Sequence, residues 1–171
     1  MSQDNRKIVS SKHLAEDSEW PLSEVEFAMT ILYNAFSKWI VRCSAAAGQA
    51  ELSVVDVLTL HNIHHRDNEQ RRIDISFMLN IEDPHTVNYS LKKLIKLGLV
   101  EGTKRGKEVF YATTKAGHDL CEEYREVRRQ CLLSSLNGLD KNTEELSNIA
   151  ATMRGLSGLY DQAARAAASM S

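Results

Sequence analysis

No stretch of the 171-residue sequence approaches the ~20 consecutive apolar residues that a membrane-spanning helix needs. Residues 1–7 are polar where a secretory signal would lead into an apolar core, so export is not expected. Cysteine is sparse: Cys43, Cys121 and Cys131 are far apart, form no CxxC pair and sit among apolar helical positions. This odd set argues against a disulfide framework and for reduced thiols in a cytoplasmic chain. Equally absent are a Gly-rich phosphate loop, a nucleophile elbow, an HExxH helix and a carboxylate pair in a catalytic setting. The expectation is a protein that is not an enzyme and carries no cofactor. The sequence has no internal repeat, and its one compositional bias is an alanine-rich tail.

What is present is an ordinary globular balance, 43% hydrophobic and 26% charged, in a chain long enough for one real core with extensions. The net charge of −2 is unevenly spread. Between Arg71 and Lys115, nine Lys and Arg stand against five Asp and Glu, a local +4 that leaves −6 for the remainder. A basic middle between acidic flanks is what a single phosphate-facing lobe produces.

Residues 1–19 are polar and aperiodic and read as an N-terminal arm. Pro21 and the capping-box spacing of Ser23 and Glu26 predict a helix start. Val25, Ala28, Met29, Leu32, Phe36, Trp39, Ile40 and Cys43 then recur at helical spacing out to Gly48. Ser53 and Asp56 cap a second helix, 54–65, apolar on more than one side and so expected between other elements. The charged run 66–72 reads as a loop, 73–79 as a short third helix and 80–82 as a turn. Asp83 as N-cap and Pro84 at the first helical position open a fourth helix, which Gly98 stops. Residues 99–104 and 108–112 read as strands, joined by a glycine-bearing tip at 105–107. A fifth helix, capped by Thr113 or Thr114, extends to about Leu136; after a break at 137–140, a sixth runs from about Thr143 to Ala168.

Short helix, turn, capped helix, strand, basic hairpin, strand and helix make, in that order, a winged helix-turn-helix. The expected fold class is mainly α with a small β-hairpin wing, carrying long N- and C-terminal dimerisation helices. On the fourth helix Val87, Leu91, Leu94 and Ile95 form the face expected to be buried. Opposite lie His85, Tyr89, Lys92 and Lys96, flanked by Thr86, Asn88 and Lys93, with no acid among them. Lys and Tyr can hold phosphates, and Asn can pair with adenine through two hydrogen bonds. Lys104, Arg105 and Lys107 give the hairpin tip the same character. A lysine-coated amphipathic helix is the plainer reading of the fourth helix alone; the basic hairpin that follows favours DNA.

Residues 73–100 resemble the helix-turn-helix of MarR-family regulators, and Thr113-Thr-Lys-Ala-Gly117 is similar to the threonine-to-glycine segment that follows the family's wing. The likeness covers most of the chain and implies a ligand-responsive homodimeric repressor or activator. It assigns 53–115 to the winged lobe, and 20–52 with 116–171 to a helical dimerisation region. One departure stands out: the family's wing carries an Asp-x-Arg pair in a longer loop, whereas here the tip is Lys104-Arg-Gly-Lys107. Arg105 is the natural candidate for the minor-groove arginine but lacks its supporting aspartate; phosphate contact is the firmer expectation for the wing, and groove insertion stays open.

Apolar stripes on the first, fifth and sixth helices are too extensive for one small domain to cover, which points to a second copy and a palindromic double-stranded operator. By the resemblance, a small-molecule effector would lie near Phe36, Trp39, Cys43, His61 and His65. His61 and His65 have the i, i+4 spacing of zinc ligands but no third ligand near them in sequence, so no metal is expected. Two other readings keep the fold: a protein-interaction module of the antirepressor kind, or a thiol-based redox regulator using Cys43.

Overall fold

The computed structural model describes residues 20–65, 69–136 and 143–170. The expected arm at 1–19, residues 66–68 of the charged run and the break at 137–140 lie outside them. The chain divides into two compact units, the first ending at Val127 and the second beginning at Arg128. No helix among the described residues is long and apolar enough to cross a membrane.

In the first unit α1 (Trp20–Ala46) precedes α2 (Val54–His64), β1 (Gln70–Arg71), α3 (Arg72–Met78) and α4 (Pro84–Lys96). Strands β2 (Val100–Arg105) and β3 (Glu108–Thr113) follow, then α5 (Lys115–Arg128). The three antiparallel strands lie in the order β1-β3-β2, with Val100 opposite Thr113 and Arg105 opposite Glu108. Helix α1 begins three residues before Ser23, so the capping spacing read there falls inside the helix. The cap read at Ser53 is present in full: Asp56 N–H donates to Ser53 Oγ, and Ser53 N–H donates to Asp56 Oδ2 at 2.9 Å.

The core of this unit gathers Ile40 and Cys43 of α1, Val57, Leu60 and Ile63 of α2, and Ile75 of α3. Val87, Leu91 and Leu94 of α4, Leu120, Cys121 and Tyr124 of α5, and Leu52, Leu99 and Val100 complete it. The core therefore runs past the border expected at 115/116, because the first turns of α5 pack into the winged lobe. Helix α2 is buried on several sides, as its composition requires. Ile95 departs from the reading: it is 43% exposed, and Ser90 takes its place on the buried face of α4. Residues 70–71, read as loop, form strand β1 against Tyr111 and Phe110 of β3.

Three backbone devices fix the lobe. At the end of α3, Asn80 adopts φ 52°, and Ile81 N–H donates to Ser76 O at 2.9 Å. At the end of α4, Gly98 adopts φ 69°, and Leu99 N–H donates to Leu94 O at 2.9 Å. Both are Schellman closures, which need a residue tolerant of left-handed backbone. The third lies after the wing. Thr114 Oγ1 donates to Gly98 O at 2.6 Å and accepts from Gly117 N–H at 3.1 Å, capping α5 onto the end of α4.

The second unit holds a π-helical turn (Arg129–Leu133), α6 (Ser134–Leu136) and α7 (Thr143–Ala168). The helix expected through Leu136 is thus α-helical only to Arg128 before the wider turn intervenes. Helix α7 has no buried residue, and Leu146, Ile149, Met153, Leu159 and Tyr160 are exposed along it.

Candidate nucleic-acid interface

Asp83 builds the start of α4: its carboxylate accepts from His85 N–H and from the Thr86 hydroxyl, each at 2.9 Å. These hydrogen bonds, the backbone one first, hold the Asp83 carboxyl below its ordinary range. The Schellman turn before this cap and the buried face of Val87, Leu91 and Leu94 together set the angle of α4. Outward, His85, Tyr89, Lys92 and Lys96 are exposed, while Thr86 and Asn88 are half-buried beside them. Two of the expected residues have other work. The Thr86 hydroxyl hydrogen is spent on Asp83. Lys93 turns toward α2, where its Nζ donates to Asp56 Oδ2 at 2.8 Å and to Glu51 O.

Asp56 is 4% exposed. Burial pushes its carboxyl upward, but hydrogen bonds from Lys93 and Ser53 outweigh it and leave a net lowering. One carboxylate thus caps α2 and anchors α4.

The wing closes through a two-residue turn in which Gly106 comes first at φ 63°, the left-handed requirement of such hairpins. Lys104, Arg105 and Lys107 are exposed on it. Arg105 does have an acidic partner. Its guanidinium lies 2.6 Å from a carboxylate oxygen of Glu69 and 5.1 Å from the centre of the Phe110 ring. Sequence spacing could not show this, because Glu69 reaches the wing only through the pairing of β1 with β3. Arg71 braces the same region, with a guanidinium nitrogen 2.9 Å from Asp74 Oδ2 and another 2.9 Å from Glu108 Oε1.

The residues expected around an effector fall on α1, on α2 and at the residue that follows α2. Cys43 is fully buried, and its thiol donates to Tyr124 O. Trp39 packs against the core, whereas Phe36 is exposed. The His61 ring stands edge-on to Tyr124 at 4.4 Å and 5.9 Å from the ring of His65. Burial, then the charges His65 and His64 could carry, lowers the His61 pKa to about 4. Burial likewise lowers that of His64.

The His61 shift has a measurable sign. An unfolded chain protonates His61 near its ordinary 6.5, and the folded chain only near 4. Between those values the unfolded state binds more protons, so stability is lost as pH falls from 6.5 toward 4. Urea unfolding at pH 7 and pH 5 should show this group removing about 2 kcal/mol. His61→Phe should lose less over the same interval; an unchanged loss would refute the assignment.

A family model described as a winged helix DNA-binding domain matches residues 52–117. Among solved structures, Staphylococcus aureus MarR, in complex with salicylate and kanamycin, aligns with TM-score 0.65 at 18% identity, over 83% of this chain and 94% of that one. A MarR family regulator from Neisseria meningitidis aligns with TM-score 0.66 at 16% identity, over 84% and 95%. Bordetella bronchiseptica BpsR, whose DNA binding is regulated by 6-hydroxynicotinic acid, aligns with TM-score 0.57 at 18% identity, over 76% and 98%. No curated protein sequence matches the chain. Residues 52–117 have the winged-helix fold that this family model describes. The chain that carries them has the fold of the MarR-family transcription regulators.

Proposed function

We propose that this protein is a sequence-specific double-stranded DNA-binding transcription regulator, acting as a homodimer whose DNA affinity a small-molecule effector modulates. The observation that carries the reading is the outer face of α4. A capped helix in the reading position of a winged-helix scaffold exposes His85, Tyr89, Lys92 and Lys96, with Asn88 beside them. Lys92, Lys96 and the wing residues Lys104, Arg105 and Lys107 serve as phosphate contacts, and Asn88 as a base-reading residue. Thr86 and Lys93 support the helix from within.

Dimerisation is supported by apolar side chains on helices that would otherwise face water. Leu22, Val25, Ile31, Leu32, Tyr33 and Phe36 are exposed along α1, and a second set is exposed along α7. A two-fold pair would place two copies of α4 on successive major grooves of a palindromic operator. The effector is assigned to the region of Phe36, Trp39, Cys43, His61 and His65. Salicylate, one of the two ligands of the S. aureus structure, and the 6-hydroxynicotinic acid that regulates the B. bronchiseptica protein support a small organic acid as its class; a thermal-shift screen of such acids tests the assignment.

Selection of bound fragments from genomic DNA by the purified protein tests the central reading. Recovery of a palindromic consensus supports it, and recovery without sequence preference overturns it. On the selected site, Asn88→Ala should cost about 1–3 kcal/mol and relax preference at one base position per half-site. Competition binding against single-base variants of the site measures this.

A further inference from the structure

The fold brings together three potential metal ligands that are scattered in the sequence. One ligand atom each from His64, His118 and Glu122 lies within 4.8 Å of the others. His64 is the last residue of α2, while His118 and Glu122 stand one turn apart on the same face of α5. His64 Nε2 lies 3.6 Å from Glu122 Oε1. Ligand atoms about 2.0–2.1 Å from a tetrahedral ion stand roughly 3.3–3.5 Å from one another, so this pair is already close to coordinating separation. The His118 ring is centred 5.0 Å from that of His64 and is the more exposed of the two.

The backbone beneath these groups is held firmly. Ile63, next to His64, is buried, as are Leu120, Cys121 and Tyr124 between and beside the α5 ligands. His61 packs on Tyr124, whose carbonyl accepts from Cys43, so α1, α2 and α5 are joined directly under the cluster. Arg125 holds the other carboxylate oxygen, Oε2, of Glu122 at 2.7 Å and leaves Oε1 facing His64. A neighbour fixing a ligand's orientation in this way is a regular feature of metal sites.

We propose that His64, His118 and Glu122 form a binding site for a divalent transition-metal ion of the nickel-to-zinc class, with solvent or an added ligand completing the coordination. Two imidazoles and one carboxylate suit these borderline ions. Calcium and magnesium fit poorly, since they require six or more oxygen ligands. An ion here clasps the last turn of α2 to the first turns of α5, immediately after the wing. The site does not depend on the DNA-binding reading, and metal binding is measured without DNA.

The test uses the full-length protein and Zn²⁺. Equilibrium dialysis with metal analysis should find one zinc per chain, and zinc should raise the thermal midpoint. His118→Ala and Glu122→Gln, changes at accessible side chains, should each weaken zinc binding at least about 10- to 100-fold and remove the thermal shift. Glu123→Gln, an exposed acid on the same helix outside the cluster, should change neither. The proposal is overturned if the unmodified protein does not take up stoichiometric zinc at micromolar concentration. Wild-type affinity in the His118→Ala/Glu122→Gln double variant would also overturn it.

Discussion

Replacing Lys92, Lys96 and Arg105 together with alanine should lower affinity for every duplex, on the order of 10²–10³-fold at ~0.1 M salt. The estimate follows from counterion release: each lost phosphate contact removes about 0.9 from the slope of log K against log salt, and so about tenfold at that concentration. The slope should therefore fall by about 2 to 3, with Arg105 giving the smallest share because Glu69 already neutralises it in the free protein. All three side chains are on the surface, so the thermal midpoint should stay within a degree or two. Binding measured at several salt concentrations decides the matter: a triple variant with unchanged affinity and slope would remove α4 and the wing from the DNA surface. That result would favour a protein partner on the same face.

Among the described glycines, Gly117 is the one where an added methyl group should do most damage. A Cβ at this position would lie 2.0 Å from Leu99 O and 3.0 Å from Leu99 C. Backbone, not a flexible side chain, stands in the way. Leu99 O accepts from Thr114 N–H at 3.1 Å, and Leu99 N–H is fixed by the closure of α4, so this carbonyl has no cheap direction to move. Overpacking of a tight core contact costs about 1–3 kcal/mol or more, and the upper end applies here. At this chain length that lowers the thermal midpoint by roughly 6–12 °C. Gly155→Ala in α7 is the matched control: a Cβ there meets nothing within 4 Å. It should stabilise by up to about 1 kcal/mol through helix propensity. A Gly117→Ala variant as stable as wild type would mean that α5 does not dock on the end of α4 as described.

Local signals in the sequence located most of the fold and failed where contacts are long-range. The caps at Ser53 and Asp83 and the stops at Gly98 and Gly106 were legible because each is decided within a few residues. The outer face of α4 was legible from periodicity for the same reason. Strand β1 was not. It is two residues long, one of them charged, and exists only because β3, far along the chain, offers it an edge. Glu69 was missed with it, and with Glu69 the acid that partners Arg105.

Lys93 and Ile95 show a subtler failure. A helical wheel centred on the four apolar residues is rotated from the true buried face, since α2 presents the polar Asp56 to α4. That contact draws in Ser90 and Lys93 and leaves Ile95 outside. The His64, His118 and Glu122 grouping was hidden for a related reason. No third ligand stands near the histidine run in sequence, because its companions are on α5.

The bond between Lys93 and Asp56 also bears on how the proposed regulator would be switched. It pins α4 against rolling about its own axis, since rotation would strip a buried carboxylate of its cation at a cost of about 1.5–3 kcal/mol. The pitch of the reading helix is consequently a constant of each lobe. In the proposed dimer, a signal that turned DNA binding on or off would have to act on the separation between the two lobes, as a caliper is set by its span and not by bending its points.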